Sequence, residues 1–129
     1  MLDISTDSAA LPGCLLIRMV GEASLREVDG LQLQLRRIGS AHPQRVIIDL
    51  AHVTFMASLA MGTLVEFTSG IKVRKGRVAV AGASGMLLDA IRRARLDTLF
   101  VMADTVESAA STLREIVPEV PAAASPSSP

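Results

Sequence analysis

The pattern of hydrophobic and polar residues divides the chain into two kinds of segment. Five short runs are rich in aliphatic and β-branched residues, which is typical of strands, and they cover residues 2–6, 14–20, 45–51, 77–82 and 99–102. Four longer segments carry apolar residues three and four positions apart, which is typical of amphipathic helices. Because helical segments separate the later strands, the pattern predicts the α/β fold class, with a mixed sheet of four to five strands and about four helices.

Capping sequences mark the starts of three predicted helices. Ser24 and Glu27 have the spacing of a capping box, in which each side chain bonds the backbone amide of the other. The apolar stripe that follows comprises Val28, Leu31, Leu35 and Ile38. Ser84 can cap the third helix, whose core face comprises Leu87, Leu88, Ile91 and Ala94. Asp104 and Glu107 repeat the box before the last stripe, which comprises Val106, Ala109, Ala110, Leu113 and Val117.

The second predicted helix, residues 58–73, differs because it is apolar around most of its circumference as far as Phe67. Such a helix is expected to have two contact surfaces, one on the sheet and one for something else. Basic residues gather at its end, where cations are favoured, and we interpret them as a solvated helix end. Residues 1–117 are expected to form one domain, and residues 118–129, rich in Pro, Ala and Ser, a flexible tail.

Composition and charge exclude several classes of function. The 13 basic and 13 acidic residues cancel, which argues against a protein that binds nucleic acid by neutralising phosphates. The chain has no Trp or Tyr and only three Phe, so base stacking is also disfavoured. The first residues lack the features of a signal peptide, and no stretch approaches the roughly 20 apolar residues of a membrane-spanning helix. We therefore expect a cytoplasmic protein without direct membrane insertion.

Candidate catalytic and metal-binding residues are few. Asp49 lies within a predicted buried strand without a second acid nearby, and His42 and His52 lack the spacing of metal ligands. Cys14 is the single cysteine, which excludes an internal disulfide, and it lies inside a predicted strand. The turn at residues 82–85 holds two glycines before a helix but lacks the lysine of a phosphate-binding loop. We predict no catalytic residue, no cofactor and no metal, and hence no enzyme.

The junction between the third strand and the second helix, residues 53–62, allows two interpretations of Ser58. Ser58 stands where an N-cap residue is expected, and a capping hydroxyl contributes about 1 kcal/mol. Alternatively, its hydroxyl is exposed at the positive end of the helix among the apolar Met56, Leu59 and Met61. A phosphate there would add about two negative charges to an apolar surface. Spacing alone favours the cap.

The same junction resembles the STAS domain family, which includes the anti-sigma factor antagonists. In that family a hydrophobic strand ends in Asp-Leu, and after a short turn Phe-Ile-Asp-Ser-Ser-Gly-Leu-Gly opens an aliphatic helix. Here Val-Ile-Ile-Asp-Leu at 46–50 matches the strand, 53–55 matches the turn, and 56–62 takes the place of the helix entry. Three further segments resemble the family: Gly21-Glu22, residues 77–82 and residues 96–100. The likeness covers about residues 2–117 and implies a single STAS-like domain.

The resemblance implies a function by protein–protein contact. In that family an antagonist binds a serine-kinase anti-sigma factor, which phosphorylates a serine at the helix start and thereby releases the antagonist; a phosphatase reverses the switch. Ser58 falls on the phosphorylated position. The implied partner-binding face around it comprises Ser24, Met56, Ala57, Leu59, Ala60, Met61 and Gly62.

This chain departs from the family pattern on that face. Ser24 and Ala57 stand where the family has acids, and Leu59 and Ala60 replace a polar residue and a glycine. The face becomes more apolar, which is typical of a constitutive contact.

Two functions remain as hypotheses. The first is an anti-sigma factor antagonist that binds a serine-kinase anti-sigma factor and either is released by phosphorylation of Ser58 or is an unswitched variant that no longer responds to the kinase. The second is a non-switching STAS subunit of a larger assembly, such as a lipid-transport ABC complex or a stress-sensing particle. The retained Ser58 favours the first, Ala57 and Ser24 argue against switching, and the apolar helix entry favours the second.

Overall fold

The computed structural model describes residues 1–118, and the predicted tail, 118–129, lies outside the described residues apart from Pro118. Within that range five strands form one sheet: β1 (Leu2–Asp7), β2 (Leu15–Ala23), β3 (Arg45–Met56), β4 (Arg77–Ala81) and β5 (Val101–Ala103). The α-helices there are α1 (Val28–Gly39), α2 (Ser58–Val73), α3 (Gly85–Arg93) and α4 (Val106–Ile116). Two short 3-10 turns span Leu25–Glu27 and Leu96–Thr98.

The sheet is mixed, and its strands are arranged in chain order from β1 at one edge to β5 at the other. β1 runs antiparallel to β2, whereas β2, β3, β4 and β5 run parallel to one another. Parallel neighbours need crossover connections, and α1, α2 and α3 supply them in turn. The predicted α/β class, with its mixed sheet and its helices, is confirmed.

Hydrophobic cores lie on both faces of the sheet. The larger core lies between the sheet and the helices α1, α2 and α3. The smaller core lies between the sheet and α4, whose Ala109, Ala110 and Leu113 are almost wholly inaccessible. Successive residues of a strand point to opposite faces, so in β3 Ile48 joins the larger core and Ile47 the smaller. The central strand is therefore buried on both faces, as its continuous apolar run predicts.

β3 is longer than the sequence pattern predicts, because the predicted strand stops at residue 51 and the observed one ends at Met56. Two register shifts interrupt its pairing with β2, the first after Arg18 and the second after Gly21. Each shift breaks the period-2 alternation by which a strand is recognised in a sequence. The sequence pattern therefore does not predict the last part of β3, where the pairing with β2 is irregular.

The last part of β3 projects beyond its neighbour β4. Pairing with β4 stops at Asp49, whereas pairing with β2 continues to Met56. Residues 20–23 of β2 and 52–56 of β3 therefore form a ribbon, named here the terminal ribbon. On the other side of β2, the antiparallel β1 reaches only as far as Gly21. The strand residues at this end of the sheet, which carries the candidate site, are therefore paired with fewer strands than those in the middle of the sheet.

Two predicted caps are wrong. Ser24 and Glu27 form no capping box, because the Ser24 hydroxyl donates to the Glu27 carboxylate at 3.1 Å instead of serving the backbone. A 3-10 turn follows Ser24, and α1 begins only at Val28. Ser58 is the first residue of α2, and Ala57 holds the N-cap position. Spacing identifies candidates for a cap, whereas the backbone angles at the junction decide which residue occupies it.

The start of α4 has a capping box, one residue later than predicted. The Thr105 hydroxyl accepts from the Ser108 amide at 3.1 Å, and the Ser108 hydroxyl accepts from the Thr105 amide at 3.4 Å. Asp104 and Glu107, the predicted pair, are exposed. Ser84 does hold the predicted N-cap position of α3, but its side chain makes no capping hydrogen bond.

Smaller boundaries also shift. β2, expected at residues 14–20, spans Leu15–Ala23, so Cys14 precedes the strand. The last strand was expected at residues 99–102 and lies at Val101–Ala103, because the 3-10 turn at Leu96–Thr98 occupies the approach to it. Ala94, expected on the core face of the third helix, is the exposed residue at its C-terminal end.

Candidate functional site

The predicted partner-binding residues lie where β2 and β3 end. The carbonyl oxygen of Ala23, the last residue of β2, accepts a hydrogen bond from the Ala57 amide at 2.8 Å. This bond fastens the start of α2 beside the end of β2, and the turn Leu25–Glu27 also contacts α2. Segments that are distant in the sequence are thereby brought to one surface.

Ser58 begins α2 with an exposed side chain. Ala57 precedes it in extended backbone, with ψ of 154°, and offers no side-chain acceptor to the amides of the first turn. That turn contains no acidic residue. The Ser58 hydroxyl is therefore accessible at the positive end of a helix whose first amides lack a side-chain cap. The interpretation of Ser58 as the N-cap residue is wrong, since it lies one residue too late.

Part of the predicted partner-binding face reaches the surface. Leu59 is the most prominent residue, with 61% of its surface exposed. Gly62 is also exposed, three residues later and on the same side of the helix. Ser24 and Ala57 are partly exposed, and the Ser24 hydroxyl is engaged with Glu27. An exposed leucine in a first helical turn does not contribute to the core, so it is free to contact another molecule.

The other three predicted residues do not reach that face. Met56, Ala60 and Met61 belong to the larger core, with exposures of 8%, 0% and 9%. Each residue of a helix is rotated by about 100° from the one before, so Ala60 and Met61 turn inward although they follow the exposed Leu59. We therefore remove these three from the proposed contact set; they support the surface from beneath.

The second apolar surface predicted for α2 is largely internal. One side of α2 packs on the sheet, and another packs on α1. Phe67 and Ile71 are buried as a result. The large apolar side chains of α2 that stay exposed are Leu59 in its first turn and Val73 at its last residue.

Two exposed apolar residues that the sequence pattern did not single out lie at the same end of the sheet as Leu59. Leu25 is 65% exposed in the turn after β2, and Phe55 is 52% exposed in the terminal ribbon. Neither belongs to a periodic stripe, because one lies in a 3-10 turn and the other beyond the second register shift. Leu25, Phe55 and Leu59 together are named the apolar rim.

Two carboxylates of β3 and of the turn after β2, those of Asp49 and Glu27, already have partners. Glu27 accepts the Ser24 hydroxyl and lies 3.5 Å from the amino group of Met1. Asp49 accepts the Ala51 amide at 3.0 Å and lies 3.8 Å from the Arg18 guanidinium. Asp49 therefore has the structural role of a hydrogen-bond acceptor.

The remaining candidate residues do not assemble a reactive site. Cys14 is buried beneath α4, and burial raises the pKa of its thiol, which keeps it protonated at neutral pH. His42 bonds to Arg74 near the amino end of β3, and His52 is exposed on β3. Within residues 1–118 no group of three or more His, Cys, Asp or Glu side chains could hold a metal ion. The helices of this same range include none that is both long enough and apolar enough to cross a membrane.

Close backbone packing explains the glycine at the start of the turn at residues 82–85. Gly82 has φ of +76°, and a Cβ at this position would come within 2.8 Å of the Ala51 Cβ. A glycine is required there because the end of β4 passes tightly against β3.

Comparison with known proteins connects this arrangement to one family. A family model described as STAS domain matches residues 6–109. An anti-sigma factor antagonist from Mycobacterium paratuberculosis has a TM-score of 0.80 at 18% identity, over 88% of this chain and 95% of that chain. The phosphorylated form of the Bacillus cell fate determinant SpoIIAA has a TM-score of 0.68 at 17% identity, over 87% and 100%. A sulfate transporter family protein from Wolinella succinogenes has a TM-score of 0.70 at 20% identity, over 87% and 93%. At these identities the likeness to the solved structures shows the fold.

Proposed function

Because the chain belongs to the STAS domain family, we propose that it is a regulatory protein-binding module of the anti-sigma factor antagonist kind. Its proposed partner is a serine-kinase anti-sigma factor in the cytoplasm. The proposal gives the chain itself no catalytic activity. The single observation that carries it is the pairing of an exposed Leu59 with an exposed Ser58 in the first turn of α2.

The apolar rim is the proposed centre of contact. Complete burial of a leucine or phenylalanine side chain contributes about 1.5–3 kcal/mol. Leu25, Phe55 and Leu59 are each more than half exposed, so a partner gains most of that contribution by covering them. Polar groups around them, including the Ser24 and Ser58 hydroxyls, fit the usual anatomy of an apolar centre with a polar margin.

Phosphorylation of Ser58 is the proposed switch. A phosphate at the helix start gains from the first-turn amides and from the helix dipole, so the free protein stays folded. In the complex, the same phosphate would place about two negative charges against the apolar contact around Leu59, where desolvation opposes them. Phosphorylation would therefore weaken binding without unfolding the protein, and a phosphatase would restore it.

A second candidate function is a non-switching subunit of a larger assembly. Ala57 favours it, because the family pattern has a carboxylate at this position, directly before the phosphorylated serine. An exposed apolar rim also suits a permanent contact. The two functions differ in one property, which is the response of the complex to a negative charge at position 58.

The experiment measures that response. Partners are captured from lysate with wild-type protein and with the variants Ser58→Asp and Ser69→Asp, and they are identified by mass spectrometry. The dissociation constant of each complex is then measured with purified proteins. Ser69 is an exposed serine on the same helix, distant from the first turn, so it controls for added charge alone. We expect a kinase-type ATPase that binds wild type and Ser69→Asp alike and binds Ser58→Asp at least about tenfold more weakly.

Two other outcomes would decide against this switch. Subunits of a transporter or stress particle that bind all three proteins equally would establish the non-switching function. An ATPase partner that binds Ser58→Asp as tightly as wild type would remove Ser58 from the interface.

A further inference from the structure

A groove between α1 and α2 lies apart from the apolar rim, toward the amino ends of the parallel strands. Its volume is about 300 Å³. Its floor consists of the buried apolar residues Leu35, Phe67 and Ile71. Its rim carries the exposed charged residues Arg36, Glu66 and Arg74. This cavity is named the helix groove, and nothing in the proposed function uses it.

The helix groove is open because glycines line both of its walls. Gly70 lies on the α2 wall, and a Cβ at this position would meet no atom within 4 Å. Gly39 lies on the α1 wall, where a Cβ would be 3.6 Å from the Phe67 ring. A glycine inside a helix costs about 0.5–1 kcal/mol relative to alanine. The space beside Gly70 is therefore kept at the expense of helix stability.

The charged groups at the helix groove are not neutralised by ion pairs. The ion pairs of residues 1–118 involve neither Arg36 nor Arg74. Arg74 donates to the imidazole of His42, which holds the guanidinium in place without cancelling its charge. With Glu66 on the same rim, the two arginines leave an excess of one positive charge beside an apolar floor.

We propose that the helix groove binds a small amphipathic monocarboxylate. The carboxylate pairs with Arg36 and Arg74, and the hydrocarbon part lies on the floor formed by Phe67 and its neighbours. A guanidinium matches a carboxylate in geometry as well as in charge. A neutral hydrocarbon would leave the guanidinium groups unused, and a dianion would exceed the single excess positive charge of the rim.

The dimensions limit the ligand further. The α1 wall extends from Gln32 to Ser40, which is about 12 Å at the rise of an α-helix. A volume of about 300 Å³ is at the small end of ligand-binding cavities. The groove thus suits a medium-length alkyl chain or an arylalkyl group and is too small for a complete membrane lipid.

The experiment is a titration of ¹⁵N-labelled protein with octanoate, kept below its micelle concentration, and in parallel with octanamide, its neutral counterpart of equal chain length. We expect saturable shifts of the backbone amides at residues 32–40 and 63–74 with octanoate. Binding of octanamide should be at least about tenfold weaker, because the charge-assisted hydrogen bonds are lost.

Two pairs of variants separate binding in the helix groove from adsorption elsewhere. Gly70→Met fills the open space and should weaken octanoate binding more than about tenfold, whereas Gly30→Met makes the same change at another open helical position, on α1 and outside the groove. Arg36→Gln should weaken binding about three- to tenfold, whereas Arg37→Gln, next to it and outside the groove, should not.

Either of two results would overturn the proposal. Shifts that Gly70→Met leaves unchanged would show that octanoate binds elsewhere. Equal binding of octanoate and octanamide would show that no carboxylate is recognised. If Gly70→Met fails to fold, the pair Arg36→Gln and Arg37→Gln still tests the site, because both change an exposed side chain. Neither result bears on Ser58, so this proposal and the proposed function can fail separately.

Discussion

The starts of α4 and α2 occupy equivalent places, each directly after a strand of the parallel part of the sheet, yet they are capped differently. At α4, Thr105 and Ser108 bond the backbone amides of each other. At α2, Ala57 has no side-chain acceptor, and Ser58 is exposed. A missing cap costs about 1 kcal/mol. One helix start is thus closed by side-chain caps, while the other is left open where another molecule can reach it.

The largest effect on stability is expected to distinguish two neighbouring residues at the uncapped start of α2. Ala60→Glu should destabilise the protein by about 3–5 kcal/mol, because it buries an unpaired charge in the larger core. Leu59→Glu should change the free energy of unfolding by less than about 0.5 kcal/mol, because this side chain is exposed. Urea denaturation measures both. If Leu59→Glu unfolds the protein, the first turn of α2 is not an exposed surface and the comparison fails.

A smaller effect on stability is expected when a hydroxyl is removed from each of the two helix starts. Thr105→Ala removes a side-chain acceptor and should cost about 1 kcal/mol, whereas Ser58→Ala removes no capping bond and should stay within about 0.5 kcal/mol of wild type. Thermal unfolding of the two variants provides the measurement. Equal losses would mean that Ser58 caps α2 in solution.

The smallest effect is expected from a substitution that supplies the missing cap of α2. Ala57→Asp places an acceptor at an N-cap position that already has extended backbone, and it should raise the free energy of unfolding by about 0.5–1 kcal/mol. It also supplies a carboxylate where the family has one before its phosphorylated serine. Denaturant unfolding at neutral pH tests the gain. A loss of stability would show that the junction cannot accept a side-chain cap.

The elements of the fold are largely predictable because their signals are local and repeated. The apolar run at 45–51 identifies a strand that is buried on both faces, and the apolar stripe of α4 returns four times at helical spacing. The caps are less predictable, because each depends on one residue. A shift of one position makes Ala57, and not Ser58, the N-cap residue of α2. At Ser24 the hydroxyl bonds the Glu27 side chain, and the predicted capping box does not form.

The candidate site is only partly predictable for a similar reason. Sequence adjacency places Leu59, Ala60 and Met61 together, but the helix turns the last two inward. The helix groove has no sequence signal beyond the glycines at positions 39 and 70, because its existence depends on the distance between α1 and α2.

The terminal ribbon has a consequence for the dynamics of the sheet. Residues 46–49 of β3 are paired with strands on both sides, whereas residues 52–56 are paired with β2 alone. A segment with fewer neighbours opens locally at a lower free energy, so its amide hydrogens exchange with solvent sooner than those of the centre of the sheet. The apolar rim thus rests partly on a strand end that opens easily. A molecule bound there would hold it closed, and slower exchange confined to residues 52–56 would report that the surface is occupied.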